Sequence, residues 1–112
     1  MLDVERYCLS REGALRDYPF GPQAAVFKVG GKMFALASPA GRPDRINLKC
    51  IPMLAVQLRE RYAAVLPGYH MNKTHWNTVL LDGSISEREV KKLIDLSYDL
   101  VRGSLPRSKK AR

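Results

Sequence analysis

With 112 residues, 46% of them hydrophobic and 27% charged, the chain fits one globular domain with one modest core. No apolar run approaches the roughly 20 residues that cross a bilayer, and no basic segment followed by an apolar run marks a signal peptide. A cytoplasmic protein with no membrane partner is therefore expected. The formal net charge of +8 points toward an anionic partner, and its distribution narrows that statement. Residues 20–81 hold eight basic side chains against Asp44 and Glu60, residues 102–112 hold five basic and no acidic ones, and the two other stretches are mildly acidic. A basic middle therefore exists independently of a basic end.

Leu2 to about Ser10 reads as a helix. Asp3 and Glu5 sit in its first turn, where negative charge suits the dipole, and Leu2, Val4, Cys8 and Leu9 can share a buried face. Gly13 offers a stop. Leu15 to Pro22 is expected to be an irregular connection, because Pro19 and Pro22 forbid a helix, with Tyr18 and Phe20 plugging the end of the core. Residues 24–29 form a strand, Gly30-Gly31 a tight hairpin turn with positive φ at both glycines, and residues 32–37 the returning strand. The loop 38–44 has too many breakers to be regular. Arg45–Lys49 alternates strictly, Ile46 and Leu48 to one face, Arg45, Asn47 and Lys49 to the other, as in a half-buried antiparallel strand with a basic, hydrogen-bonding outer face. The three strands make a meander.

Pro52 suits the first turn of a second helix, whose core stripe is expected to be Leu54, Leu58 and Tyr62. Val65–Gly68 is read as the turn that closes it. Trp76 to Leu81 alternates as a strand, with Trp76, Thr78 and Leu80 on one face and Asn77, Val79 and Leu81 on the other. Asp82-Gly83 is a turn signal, and Ser86 followed by Glu89 is a capping box. The helix it opens runs to about Arg102 and presents Val90, Leu93, Ile94, Ser97, Leu100 and Val101 to the core. Gly103 and Pro106 end it. The order α-βββ-α-β-α predicts an α+β two-layer sandwich, an antiparallel sheet with the terminal helices on one face. One domain covers residues 1–103, and 104–112 form a basic, flexible tail.

Cys8 and Cys50 show no CxxC or other metal spacing and are expected to be two buried thiols in a reducing compartment. No standard zinc spacing, nucleophile elbow or Gly-rich phosphate loop is present, so no metal, cofactor or catalytic residue is expected and a non-enzymatic protein is.

The densest cluster of groups able to donate, accept or stack is the run Tyr69-His70-Met71-Asn72-Lys73-Thr74-His75-Trp76-Asn77-Thr78-Val79-Leu80-Leu81-Asp82-Gly83. Its histidine, then Asn-Lys-x-His-Trp, then a strand and Asp-Gly, strongly resembles the signature of the MmcQ/YjbR family. The likeness extends to Phe27-Lys28-Val29, Met33-Phe34-Ala35, Asn47-Leu48-Lys49 and Ile94–Tyr98, nearly the whole chain apart from the basic tail. The resemblance implies a CyaY-like (frataxin-like) two-layer fold. It also implies a small bacterial protein that binds DNA through a double-wing motif, and it supplies no catalytic residues. Metal-handling relatives of that fold use an acidic ridge on the first helix; here Asp3, Glu5 and Glu12 stand among Arg6 and Arg11.

The functional reading makes Lys28, Arg45, Lys49 and Lys73 contacts to phosphates, which give affinity without sequence information. Asn47, Asn72 and Asn77 would bond sugars or base edges, and His75 or Trp76 would stack on an unpaired base, with His70 beside them. Structural roles compete at most of these positions: Trp76 as a core anchor, Asn72 as a turn closer, His70 and His75 as partners for backbone groups. Lys73 has no such competing role. Nucleic acid, DNA first, is the expected partner of the basic face, and an acidic protein or small anion is the alternative.

Overall fold

The structure, a computed structural model, describes residues 2–68 and 71–107. In chain order it contains α1 (Val4–Leu9), β1 (Leu15–Asp17), β2 (Ala25–Val29), β3 (Lys32–Ser38), β4 (Arg45–Lys49), α2 (Pro52–Arg61), β5 (Val65–Pro67), β6 (Trp76–Leu80) and α3 (Glu87–Gly103). The strands form one antiparallel sheet in the order β1-β2-β3-β4-β6-β5. The helices pack on one of its faces. This is the expected two-layer α+β sandwich, and β2, β3 and β4 are the expected meander. Among the described residues no helix is long and apolar enough to cross a membrane.

Local chemistry sets the element ends. Asp3 caps α1, its Oδ1 accepting from Arg6 N at 3.1 Å, and Ser86 caps α3, its Oγ accepting from Glu89 N at 3.1 Å. Each satisfies a backbone donor that a helix start leaves without an intrahelical partner. Gly30 and Gly31 take φ values of 58° and 84°, the left-handed region that a two-residue hairpin turn demands and glycine adopts cheaply. Asp82 closes its turn by accepting from Ser84 N at 2.9 Å.

The core lies between the sheet and the helices. Ala25, Phe27, Ala35, Ala37, Ile46, Leu48, Val65 and Val79 meet Val4, Cys8, Val90, Leu93, Ile94 and Val101 there. Ser97 of α3, fully buried, stitches the layers together: its Oγ donates to Phe34 O at 2.6 Å and accepts from Lys49 N at 2.9 Å. It does so where a bulge shifts the register of β3 against β2 between Phe27 and Lys28 and where the β3–β4 ladder has ended at Ala35 and Leu48.

Several expectations are corrected. Leu15–Asp17 is a strand, because Pro19 and Pro22 fall beyond the residues that pair with β2. Tyr18 and Phe20 do not plug the core; they are 44% and 68% exposed. Val65–Pro67 is also a strand, at the sheet edge where proline is tolerated. In α2 the deepest residue is Ala55, while Leu54 and Tyr62 are half-buried: the helix approaches β6 closely enough for Asn77 to reach Ala55 O, which favours a small side chain. In α3 Tyr98 is buried rather than Leu100. It meets Phe34 edge-on at 5.2 Å and its hydroxyl donates to Glu12 O. The packed chain also continues to Leu105, which is 4% exposed and sits against Gly30, where an added Cβ would fall 2.4 Å from Leu105 Cδ1. The rest of the expected tail, 108–112, lies outside the described residues.

Candidate nucleic-acid interface

The register decides which basic residues share a surface, because paired residues in a ladder project to the same side of the sheet. Ile46 and Leu48 are in the core, so Arg45, Asn47 and Lys49 belong to the face opposite the helices. Their β6 partners are Leu80, Thr78 and Trp76. On the other flank Leu36 opposes Asn47 and Val26 opposes Leu36, while Lys28 opposes Met33 and Leu15. Lys28 thus joins Arg45, Lys49 and Trp76 on one surface.

That surface has relief. Asn47 and Thr78 are 5% and 3% exposed although no helix packs over them, so they lie beneath their neighbours. The Thr78 hydroxyl donates to Asn47 Oδ1. Asn47 is therefore on the expected face, tied within the sheet. Trp76 is half-buried but not part of the main core, which removes its expected role as a core anchor. Opposite it on the β4 side stands Lys49, and on the β5 side Gly68, whose N–H donates to Trp76 O at 2.9 Å. A Cβ at Gly68 would lie 2.8 Å from Trp76 Cβ; the glycine is required by this close approach.

The residues before Trp76 form a braced turn. Asn72 closes it as expected, its Oδ1 accepting from Thr74 N at 2.9 Å and its carbonyl from Trp76 N at 2.9 Å. Cys50 N donates to His75 O at 2.8 Å. Arg59 of α2 then clamps the turn to the helix layer: Nη1 donates to Asn77 Oδ1 at 2.8 Å and to Lys73 O at 3.3 Å. Asn77 is 2% exposed and on the helix side of the sheet, so it is a brace and not a base-reader. Arg59 falls off the expected Leu54, Leu58 and Tyr62 stripe of α2, and its clamp to Lys73 and Asn77 spans too many residues for any local pattern to reveal. Lys73 and His75 are exposed beside the Trp76 end of the surface. His70 lies outside the described residues.

Two of the cations on this surface are partnered by carboxylates. Lys28 pairs with Asp17 at 3.3 Å and Arg45 with Asp44 at 2.8 Å. The Tyr18 N–H, then Lys28, hold the Asp17 carboxyl below its ordinary range, and Arg45 does the same for Asp44. Among the described residues Lys49 and Lys73 have no side-chain ion pair. Both cysteines are free and buried; burial pushes the Cys8 thiol up to about 12 and raises Cys50, so neither supplies a thiolate near neutral pH. The acidic groups of α1 are engaged, Asp3 as the cap and Glu5 with Arg16 at 3.4 Å and Gly41 N at 2.6 Å. Among the described residues no three His, Cys, Asp or Glu side chains cluster as metal ligands. A cavity of about 780 Å³ between the starts of α1 and α3 is lined by Leu2, Leu81, Ile85 and Val90 among others. It lies at the other end of β6 from Trp76, and two of its polar residues, Asp3 and Ser86, are the helix caps.

Comparison with known proteins agrees with this architecture. A crystal structure of the Deinococcus radiodurans protein DR2400, a DUF419 domain, superposes with a TM-score of 0.88 at 33% identity, covering 96% of this chain and 83% of that one. A Pseudomonas syringae protein superposes with a TM-score of 0.75 at 33% identity, covering 90% and 99%. The uncharacterised protein YjbR of Escherichia coli K12 is 34% identical over 108 residues, 96% of this chain and 92% of that protein. The uncharacterised YbdF of Escherichia coli O157:H7 is 44% identical over 84 residues, 75% and 69%. The profile of the YjbR family matches residues 9–100, and the chain belongs to that family.

Proposed function

We propose that this chain is a non-enzymatic nucleic-acid-binding module, with DNA the first partner to test, whose contact surface is the sheet face opposite the helices. The observation that supports it most is the register, which brings Lys28, Arg45, Lys49 and Trp76 onto one surface with Lys73 at its end. Lysine and arginine neutralise phosphates and release counterions, so such a surface binds without reading bases. Arg45 and Lys28, already paired, exchange a carboxylate for a phosphate at small cost because exposed ion pairs contribute about 0–1 kcal/mol. The Asn72, Asn77 and Arg59 brace holds the Lys73 turn in place beforehand, which lowers the ordering cost of binding.

The test is a fluorescence-anisotropy titration with labelled DNA across a salt series. Affinity is expected to fall linearly in the logarithm of salt, by roughly 0.9 in slope per phosphate neutralised on a duplex and about 0.7 on a single strand. Lys49→Ala and Lys73→Ala are each expected to lower the slope by about one contact. A chain truncated after Arg107 is expected to keep most of the slope. If the truncation abolishes binding, the tail and not the sheet is the site. If no DNA binds at low salt, the reading fails and an acidic protein becomes the partner to seek.

A further inference from the structure

We infer that the ligand of this surface is a single strand rather than a duplex, with an unpaired base stacked on Trp76 and the flanking phosphates on Lys49 and Lys28; the inference rests on the nucleic-acid reading above. The register supplies the arrangement. Lys49 stands directly across from Trp76, and Lys28 lies on the same face, with Met33 beside it. From β6 to β2 is three strand spacings, about 14 Å at the usual separation of neighbouring strands. A stacking group and two cations therefore share one face of the sheet across four strands.

Trp76 is ill suited to a duplex. It opens β6 with its backbone held, N to Asn72 O in the turn before it and O to Gly68 N on the β5 side, so its indole is carried by a sheet strand and not by a protruding helix or arm. A duplex presents base edges inside grooves, which proteins reach with a protruding helix, ribbon or arm. A strand without a partner presents the flat face of a base, which an aromatic ring in a sheet can meet. At the position across from Trp76 on the β5 side stands Gly68, which adds no side chain of its own. The asparagine carbonyls that would read base edges already hold internal partners: Asn47 Oδ1 accepts from Thr78, Asn72 Oδ1 from Thr74 N, and Asn77 Oδ1 from Arg59. Binding through stacking and phosphates alone is tolerant of sequence.

Trp76 is the only tryptophan of the chain, so the intact protein carries its own reporter. The probes are an oligothymidylate, a random-sequence duplex of equal charge, and an abasic strand of equal length. The oligothymidylate is expected to quench the Trp76 emission and to bind tighter than the duplex. Removing the bases is expected to abolish the quench and weaken binding roughly 5- to 150-fold, the range of one lost base–aromatic stack. Trp76→Ala should weaken oligothymidylate binding by a similar factor, and Trp76→Phe should restore most of it, with circular dichroism reporting the fold of both. A duplex that binds as tightly as the single strand, or an abasic strand that quenches equally, overturns the single-strand inference and leaves the nucleic-acid reading standing. Absence of binding by all three probes at low salt overturns the nucleic-acid reading itself.

Discussion

Ser97→Ala is the most informative stability change. The Ser97 hydroxyl sits between Phe34 O at 2.6 Å and Lys49 N at 2.9 Å, on a fully buried residue. Alanine fits the space, so no overpacking enters, but a carbonyl and an N–H in the interior each lose a partner. Leaving a buried polar group unsatisfied costs about 1–3 kcal/mol, so two of them together cost roughly 2–4 kcal/mol once some relaxation toward each other is allowed. For a domain of this size that is a fall in Tm of roughly 10–20 °C. Urea unfolding followed by far-ultraviolet circular dichroism should show the midpoint moving with m unchanged, because the buried area barely changes. The same variant should loosen the end of β4 that carries Lys49, seen as faster amide exchange there than at Ile46. A loss below about 0.5 kcal/mol, the scale of a surface change, would refute the argument that Ser97 completes the ladder.

Three further outcomes follow, two at the surroundings of the site and one in the core. Asn77→Ala removes the bonds to Ala55 O and Arg59 and should cost about 2–3 kcal/mol; a double-mutant cycle with Arg59→Ala should show coupling of about 1–2 kcal/mol, and additivity would disprove the clamp. Gly68→Ala puts a Cβ 2.8 Å from both Trp76 Cβ and Trp76 O, so β5 or β6 must shift, at about 1–3 kcal/mol and with a change in Trp76 emission; unchanged stability and emission would contradict the close approach. The Cys8 thiol is raised in the folded chain to about 12 from an ordinary 9.0, so the unfolded chain loses this proton first. Its contribution to stability is complete below about pH 9 and is lost as pH rises toward about 12, at up to roughly 1.4 kcal/mol per pH unit. Denaturation at about pH 8 and about pH 10 should therefore show a steeper decline for the natural chain than for Cys8→Ala; equal declines would exclude the thiol as the cause.

Much of the fold was legible from local pattern, because local chemistry produces it. The Ser86–Glu89 cap, the Gly30-Gly31 turn, the Asp82 turn and the alternation of Arg45–Lys49 each depend on neighbours within a few residues. The two strands missed, Leu15–Asp17 and Val65–Pro67, are three residues long and end at or two residues before a proline, too short for a period-two signal and held by their pairing partners instead. Tyr18 and Phe20 look like core residues by composition and are exposed because, among the described residues, no helix or strand packs over the connection they occupy. At the site, alternation put Arg45, Asn47 and Lys49 on one face. It could not show that Asn47 is sunk beneath its neighbours and held by Thr78, a partner far away in sequence.

By itself the sequence determined the family, the two-layer α+β class, the helix caps and turns, and the existence of a basic middle separate from a basic end. Each of these is written in residue types and their short-range spacing. Tertiary structure alone decided that Lys28 joins Lys49 and Trp76, that Asn77 and Arg59 brace the Lys73 turn, and that Trp76 belongs to the face away from the core. Those facts depend on strand order, on a bulge in β3 and on which face the helices cover, and a ladder shifted by one residue would send every one of those side chains to the other side.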